Sequence, residues 1–495
     1  MALLKKGVLV NYTSLVGLIV SAVFLTPSQF AAAADPAVPP GKMAGAESLT
    51  TQKIDVDFSK SLGKLRPLHG VNNGPFDSSH HVADMAARHK EAGFPSVRLH
   101  DCQWPTPTVV DIPTIFPLFH ADPDDPKNYI FAPTDRYLEA IVTNAADIVY
   151  RLGVSIEHKT AFHTKPPEDF AKWAKICINV IRHYNDGWNN GFKYNIKYFE
   201  IWNEPENGTP MWSGTIEQYF EMYRVAATAI KAYNPALKIG GPVATSTEAG
   251  HVRPFLTYCR DRKVPLDFFT WHCYTDSVPE LTRRAAHARG ILDEFGFKTS
   301  ESMCTEWKGM IAGFDKVFWQ PNSPSSTVRD ALARNRNHEA AAFAASALLQ
   351  LQDRPITMAH YYTADNSPWG MFDEYGVPGK VFFALKAFNL FLQTPNRVAV
   401  TGAPGGNELT ACAGLSDDRK RAALLLSNYR GKPSRLQITL KSFPLTGKVR
   451  VARYLVDETQ APRWVAMDSP DAQNPVLNID MPPGTVCLVR MGFPD

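Results

Sequence analysis

The sequence predicts an α/β protein: a (β/α)8 TIM barrel followed by a C-terminal β-sandwich domain. Three observations predict it. Beyond Pro67, eight short apolar runs alternate with stretches of helical periodicity, at 66–72, 95–100, 153–160, 196–202, 237–241, 266–273, 301–305 and 356–361. Eight is the number of parallel strands a closed barrel requires. From about residue 397 the helical spacing stops. Short alternating runs at 408–414, 421–428, 435–440, 448–454, 475–480 and 485–490, separated by Gly, Pro, Asn and Asp turns, suit a sandwich. Finally, the string Trp202-Asn203-Glu204-Pro205 sets a carboxylate where an aromatic, β-branched run opens into a loop. In a parallel barrel that edge is where functional groups collect.

The first 34 residues stand outside this pattern. Lys5 and Lys6, the apolar run Leu15–Leu25 and then Ala31–Ala34 follow the order of a secretory signal peptide, with an uncleaved anchor as the alternative. The expected organisation is a signal peptide at 1–34, a leader and strand at 35–65, the barrel at 66–396 and the sandwich at 397–495. Lys53–Phe58, which alternates like an isolated strand, is expected to pair with the C-terminal module. Removing the two lysines of the leader, a segment without acids, takes the formal charge from +3 to +1. A near-neutral chain of mixed signs gives no argument for nucleic acid or acidic membranes as partners. The seven cysteines form no CxxC pair, and buried free thiols are expected. No stable membrane span is expected after signal cleavage, and the pattern does not set an oligomeric state.

Helices are legible from their ends. Thr134-Asp135 opens a segment whose apolar residues Leu138, Ile141, Val142, Ala145, Ile148 and Val149 recur at helical spacing, with Gly153 as its close. Pro166-Pro167-Glu168 begins the next. Thr327–Leu351 is long and Ala-rich, with Arg334, Arg336, His338 and Glu339 on its polar side. Two long loops, 101–133 with Trp104 and His120, and 307–325 with Trp307, Phe318 and Trp319, are expected to shape a cleft. The string 121–126, Ala-Asp-Pro-Asp-Asp-Pro, lacks the Gly and terminal Glu of a calcium loop and reads as a solvated turn.

Glu204 beside the amide of Asn203 offers a proton donor and a hydroxyl partner, the pair that glycoside hydrolysis needs. Three strand ends offer a second carboxylate: Glu157, Glu200 and Glu306. Glu306 is the best placed, because it stands relative to its strand as Glu204 does to its own, and strands four and seven lie across the barrel. Glu200 shares parity with Trp202 and is expected to point into the barrel, paired with a base such as Arg98. Glu157 and His158 are candidates to line a sugar pocket. Strict alternation sends Asn203 and Glu204 to opposite faces, so both reach the cleft only if the strand twists or bulges at its end.

His69, His100, His158, His163 and His272 all fall near strand ends, which raises a metal-dependent hydrolase as a rival. Neither an HxH pair nor an HExxH helix is present, and hydrogen bonding to sugar hydroxyls suits the histidines better, so neither metal nor cofactor is expected. In Trp271-His272-Cys273-Tyr274, the tyrosine can hydrogen-bond a carboxylate on the next strand and the histidine can reach a sugar hydroxyl. Tyr361, Tyr362, Asn366, Trp369 and Phe372 read as a stacking wall.

With Trp-Asn-Glu-Pro at 202–205, His-Cys-Tyr at 272–274 and Thr-Glu-Trp at 305–307 in that order, the chain resembles glycoside hydrolase family 39, over most of residues 50–495. The resemblance implies the barrel-plus-sandwich fold of that family's β-xylosidases and α-L-iduronidases. It also implies Glu204 as acid/base and Glu306 as nucleophile of a retaining hydrolysis, supported by Asn203, His272 and Tyr274. Arg98, in Ser-Val-Arg-Leu-His, resembles the family's second-strand arginine near the nucleophile. The segment 69–75 and the loop 101–133 depart from a simple β-xylosidase, and the carboxylate-binding cations of an iduronidase are not evident. Arabinose-containing chains and bacterial exopolysaccharides therefore stay open as alternative substrates. A non-catalytic carbohydrate-binding barrel is the alternative from another class.

Overall fold

The computed structural model describes residues 49–493 apart from short stretches at 77–82, 145, 159, 314–315, 318–319, 321, 447–448, 460–461 and 471–474. The segment 1–34, read from sequence as a signal peptide, and the loop aromatics Phe318 and Trp319 lie outside the described residues.

Eight parallel strands close into a barrel: β2 (Gly70–Asn72), β3 (Ser96–Leu99), β4 (Asp147–Leu152), β5 (Tyr198–Ile201), β6 (Lys238–Ala244), β7 (Phe268–Thr275), β8 (Glu301–Gly309) and β9 (Met358–Tyr361), with β9 pairing back onto β2. They are short and apolar because both faces are covered, one by the barrel interior and one by helices. At one point the inter-strand space admits no side chain at all: a Cβ on Gly240 would stand 2.2 Å from the Phe268 ring. Among the described residues, no helix is long and apolar enough to cross a membrane.

The third barrel strand is not where periodicity placed it. Ile148 and Val149 belong to β4, and the preceding helix, Ala132–Thr143, ends at Asn144. Two β-branched residues at helical distance from Ile141 also fit a buried strand, and in the fold they pair with Val97 and Arg98 of β3. Gly153 therefore ends a strand, pressed against the Trp202 backbone, and 153–158 is loop. The long Ala-rich helix is likewise two, Ser325–Arg334 and His338–Leu351. The Asn337 side chain caps the second by accepting from the Glu339 and Ala340 N–H groups.

Nine strands form one connected sheet beside the barrel: β1 (Thr50–Lys64), β10 (Asn396–Thr401), β11 (Leu409–Leu415), β12 (Ala422–Asn428), β13 (Ser434–Lys441), β14 (Val451–Val456), β15 (Arg463–Met467), β16 (Val476–Met481) and β17 (Thr485–Met491). Of these, β10 and β15 have no counterpart among the runs read from sequence. β1 runs antiparallel to β10 and parallel to β13, so the isolated N-terminal strand crosses to the C-terminal module. Alternation sorts its two faces. Leu424 and Leu426 of β12 join Ile54, Val56, Ile438 and Ile479 in one apolar core, while Ala423 and Leu425 face the barrel core with Leu348 and Val486. The expected sandwich is thus one continuous sheet around its own core, docked on the helix before β9.

Candidate active site

The carboxyl ends of β3, β5, β7, β8 and β9 surround a cleft of about 560 Å³. Glu204 stands just past β5, and the parity problem at Asn203 and Glu204 is solved by the backbone. Trp202 and Glu204 both take left-handed conformations, with φ of 73° and 40°. The Glu204 N–H then bonds to the Val243 carbonyl at 2.9 Å, while the Trp202 indole turns away to donate to the Met211 carbonyl at 2.8 Å. Left-handed residues without glycine are uncommon, and two at one strand end reset which face each successive side chain meets.

Glu306 reaches the cleft by a different device. The pairing of β7 and β8 runs Trp271 with Cys304 and then His272 with Glu306, so Thr305 is an extra residue and the strand bulges there. Glu306 and Trp307 consequently lie inside a strand rather than in the loop after it. Tyr274 of β7 donates its hydroxyl to Glu306 Oε2.

Arg98 lies beneath both sides of the cleft. Its Nε donates to Glu200 Oε2 at 2.6 Å, Nη1 to Glu306 Oε1 at 2.7 Å and to Asn72 Oδ1 at 3.2 Å, and Nη2 to Asn203 Oδ1 at 2.7 Å. The guanidinium fork is fully buried, as is Glu200. Burial opposes the Arg98 charge, and the two carboxylates more than offset it, so the guanidinium is held above its ordinary value. Losing one member of such a buried pair typically costs about 3–5 kcal/mol, because the other is left without a partner.

The two cleft carboxylates differ in what they touch. Burial, then the Glu206 charge, pushes the Glu204 carboxyl up to about 8, against opposition from Arg98. Burial also raises Glu306, but His272, Arg98 and the Tyr274 hydroxyl pull it back. Glu306 stays above the ordinary carboxylate value, but Arg98 bonds it directly and does not bond Glu204, so Glu204, raised to about 8, is the one that keeps its proton at neutral pH. A hydrogen bond of 2.6 Å joins His272 Nδ1 to Glu204 Oε1, and Asn207 Nδ2 donates to Glu204 Oε2 at 2.7 Å. Burial lowers the His272 imidazole, which favours its neutral form.

One ligand atom each from Glu204, His272 and Glu306 lie within 4.8 Å of one another. Those side-chain types at that spacing match a metal site, but a neutral Glu204 and the Arg98 cation on Glu306 both oppose a dication there. The same spacing suits two carboxyls flanking one bond, a donor and a nucleophile.

Of the residues singled out in the sequence, Glu204, Glu306, Tyr274, His100, His158, Tyr362 and Trp369 line the cleft. Arg98, Asn203 and His272 are buried beneath or beside it: Arg98 bonds Glu306 and His272 bonds Glu204, while Asn203 accepts from Arg98. Three candidates belong elsewhere. His69 precedes β2 at the amino end of the barrel, where its Nε2 meets the Gly93 carbonyl at 3.0 Å and its ring the edge of Phe388. Glu157 ties its own loop together, accepting from the N–H groups of Phe162, His163 and Thr164. Trp307 alternates away from Glu306 and packs edge-on against Tyr361 at 5.2 Å.

Two carboxylates were missed, Asp101 and Asp365. Asp101 accepts from the Tyr362 hydroxyl at 3.2 Å and the Ile156 N–H at 2.9 Å; Asp365 accepts from Asn73 Nδ2 at 2.8 Å. Each follows a barrel strand within four residues, which was the available signal. The acidic lining residues are thus Asp101, Glu204, Glu306 and Asp365, with no lysine or arginine among the described ones.

Residues 50–357 match the family described as Glycosyl hydrolases family 39. A β-xylosidase of Caldicellulosiruptor saccharolyticus is 26% identical over 352 residues, 63% of this chain and 66% of that protein. A β-xylosidase of Geobacillus stearothermophilus is 34% identical over 131 residues, 24% of this chain and 25% of that protein. Both matches span less than two thirds of the relative's length. The crystal structure of a glucosidase from Croceicoccus marinus superposes with a TM-score of 0.75 at 25% identity, covering 90% of this chain and all of that one.

Proposed function

This chain belongs to glycosyl hydrolase family 39, and from that premise we propose that it is a retaining glycosidase, β-xylosidase-like, acting on neutral sugars in oligo- or polysaccharides. The observation that carries the reading is the pair Glu204 and Glu306, facing each other across the cleft with oxygens within 4.8 Å. Retaining enzymes hold their two carboxyls roughly 5–5.5 Å apart, too close for an intervening water.

In this mechanism Glu306 attacks the anomeric carbon as a carboxylate, guided by Arg98 and the Tyr274 hydroxyl. The glycosidic bond breaks as Glu204 gives its proton to the leaving oxygen. Glu204, now ionised, takes a proton from water, and the hydroxide equivalent attacks the same carbon to release the sugar and restore Glu306. The tilt toward neutral sugars rests on the acidic lining: a uronate would meet four carboxyl groups in the cleft. A screen of plant-wall and bacterial polysaccharides with product analysis tests the reading. Release of uronic acids in preference to neutral sugars overturns the substrate class, and no hydrolysis of any of them returns the carbohydrate-binding alternative.

The pH profile carries a sign. Glu204 must be protonated to assist departure, and its pKa is raised to about 8, so the competent form persists at neutral pH and is lost above it. On an unactivated glycoside, kcat/KM should hold through neutrality and fall about tenfold per pH unit beyond ~8. A basic limb that begins below ~6 would contradict the assignment.

Export is part of the same proposal, supported by the charged, apolar and small-residue order of 1–34. Intact-mass measurement on protein from its native host should find a chain beginning near Asp35; a full-length, membrane-bound product would favour an anchor.

A further inference from the structure

Trp369 and Pro368 line the cleft from the loop after β9, and that loop is held by two cations from outside it. Lys308, two residues beyond Glu306 on β8 and only 1% exposed, donates from Nζ to the Trp369 carbonyl at 2.7 Å. Arg336 donates from Nη2 to the Ser367 carbonyl at 2.8 Å and from Nε to the Gly370 carbonyl at 2.9 Å. Arg336 sits at 335–337, in the break between helices Ser325–Arg334 and His338–Leu351, so the interruption of that long helix is what aims its guanidinium at the loop.

Within the loop, the Ser367 N–H bonds to Asp365 Oδ1 at 3.0 Å and the Gly370 N–H to the Ser367 carbonyl at 2.8 Å. A Cβ at Gly370 would fall 1.9 Å from the Asp365 carbonyl oxygen, so the tight return needs glycine. The Trp369 ring meets Tyr274 and Tyr362 edge-on, at 5.8 and 6.2 Å between centroids, and Tyr274 is the residue bonded to Glu306. Burying an ammonium and a guanidinium is costly unless their donors are used, and here both donate to carbonyls of one cleft-lining loop, those of Ser367, Trp369 and Gly370.

We propose that Lys308 and Arg336 are positioning residues, a two-cation clamp that fixes the pose of Trp369 against the sugar and so sets substrate affinity without taking part in bond cleavage. Burial pulls the Lys308 ammonium down to about 7. The neutral amine still donates an N–H to the Trp369 carbonyl, so the informative variant removes the donor rather than the charge.

The test is a double-mutant cycle on an aryl glycoside the enzyme hydrolyses. Lys308→Met should raise KM about tenfold, the effect of losing one buried hydrogen bond, with kcat at saturation within about twofold of the parent. In a Trp369→Ala background, Lys308→Met should change KM no further, because the two act through one contact. An unchanged KM in the single variant, or the same rise in both backgrounds, overturns the clamp. If Lys308→Met does not fold, Arg336→Met enters the same cycle. The inference rests on the cleft being the sugar site, and the two failures are distinct. A wrong site leaves KM unaltered in Trp369→Ala alone, whereas a wrong clamp leaves Trp369→Ala impaired and Lys308→Met normal.

Discussion

Glu306→Gln is expected to lower turnover on the order of 10⁴-fold or more, on every glycoside and regardless of leaving group. The carboxylate supplies the electron pair that forms the covalent glycosyl-enzyme, and an uncharged amide does not supply it. The substitution conserves size in a buried position: a glutamine oxygen can still accept from Arg98 Nη1, and its amide can meet the Tyr274 hydroxyl oxygen. Arg98 retains Glu200 at 2.6 Å as a charged partner, so the loss of activity should come without loss of the fold. Steady-state rates on aryl glycosides of graded leaving-group ability, paired with thermal unfolding, measure both. A variant that stays folded and keeps turnover on activated substrates would remove Glu306 from the nucleophile's role.

How far the sequence leads to this site depends on the kind of signal each residue carries. Glu204 and Glu306 are visible because a carboxylate following an apolar run is a local pattern, and Glu200 is visible because strand parity sends it inward to Arg98. Ile148 and Val149 mislead because a two-residue apolar step fits a helix face and a buried strand equally well, and only pairing with β3 decides. Trp307 misleads for a related reason: the extra residue Thr305 carries the strand past the point where periodicity ends it, so an aromatic assigned to a loop packs against Tyr361.

Loop chemistry is the least legible. Glu157 binds backbone N–H groups five to seven residues ahead of it, a closure with no periodic signature, and it stands outside the cleft lining. Asp101 and Asp365 come together at the cleft from strands far apart in the chain. The Lys308 and Arg336 clamp converges on one loop from a strand and a helix break. Such convergence is a property of the closed barrel, and no spacing in the sequence encodes it.

Glu204→Gln should fail in a more selective way. It removes the proton donor, so glycosides with poor leaving groups should lose about 10²–10⁴-fold in kcat/KM, while an activated aryl glycoside that departs unaided still glycosylates Glu306. The second step then stalls, because no general base remains to activate water, and KM falls along with kcat as the covalent intermediate accumulates. The glutamine keeps an oxygen for Asn207 Nδ2 and a polar end for His272 Nδ1, so the cleft should stay closed around the intermediate. Azide needs no base. Added to the stalled variant, it should attack the anomeric carbon from the face water would have used and restore turnover, releasing a glycosyl azide with the anomeric configuration of the substrate. Retention follows because two inversions have taken place, one by Glu306 and one by azide. Nuclear magnetic resonance of the product decides it: an inverted azide would mean a single displacement, and azide rescue with retention in Glu306→Gln instead would exchange the roles of the two glutamates.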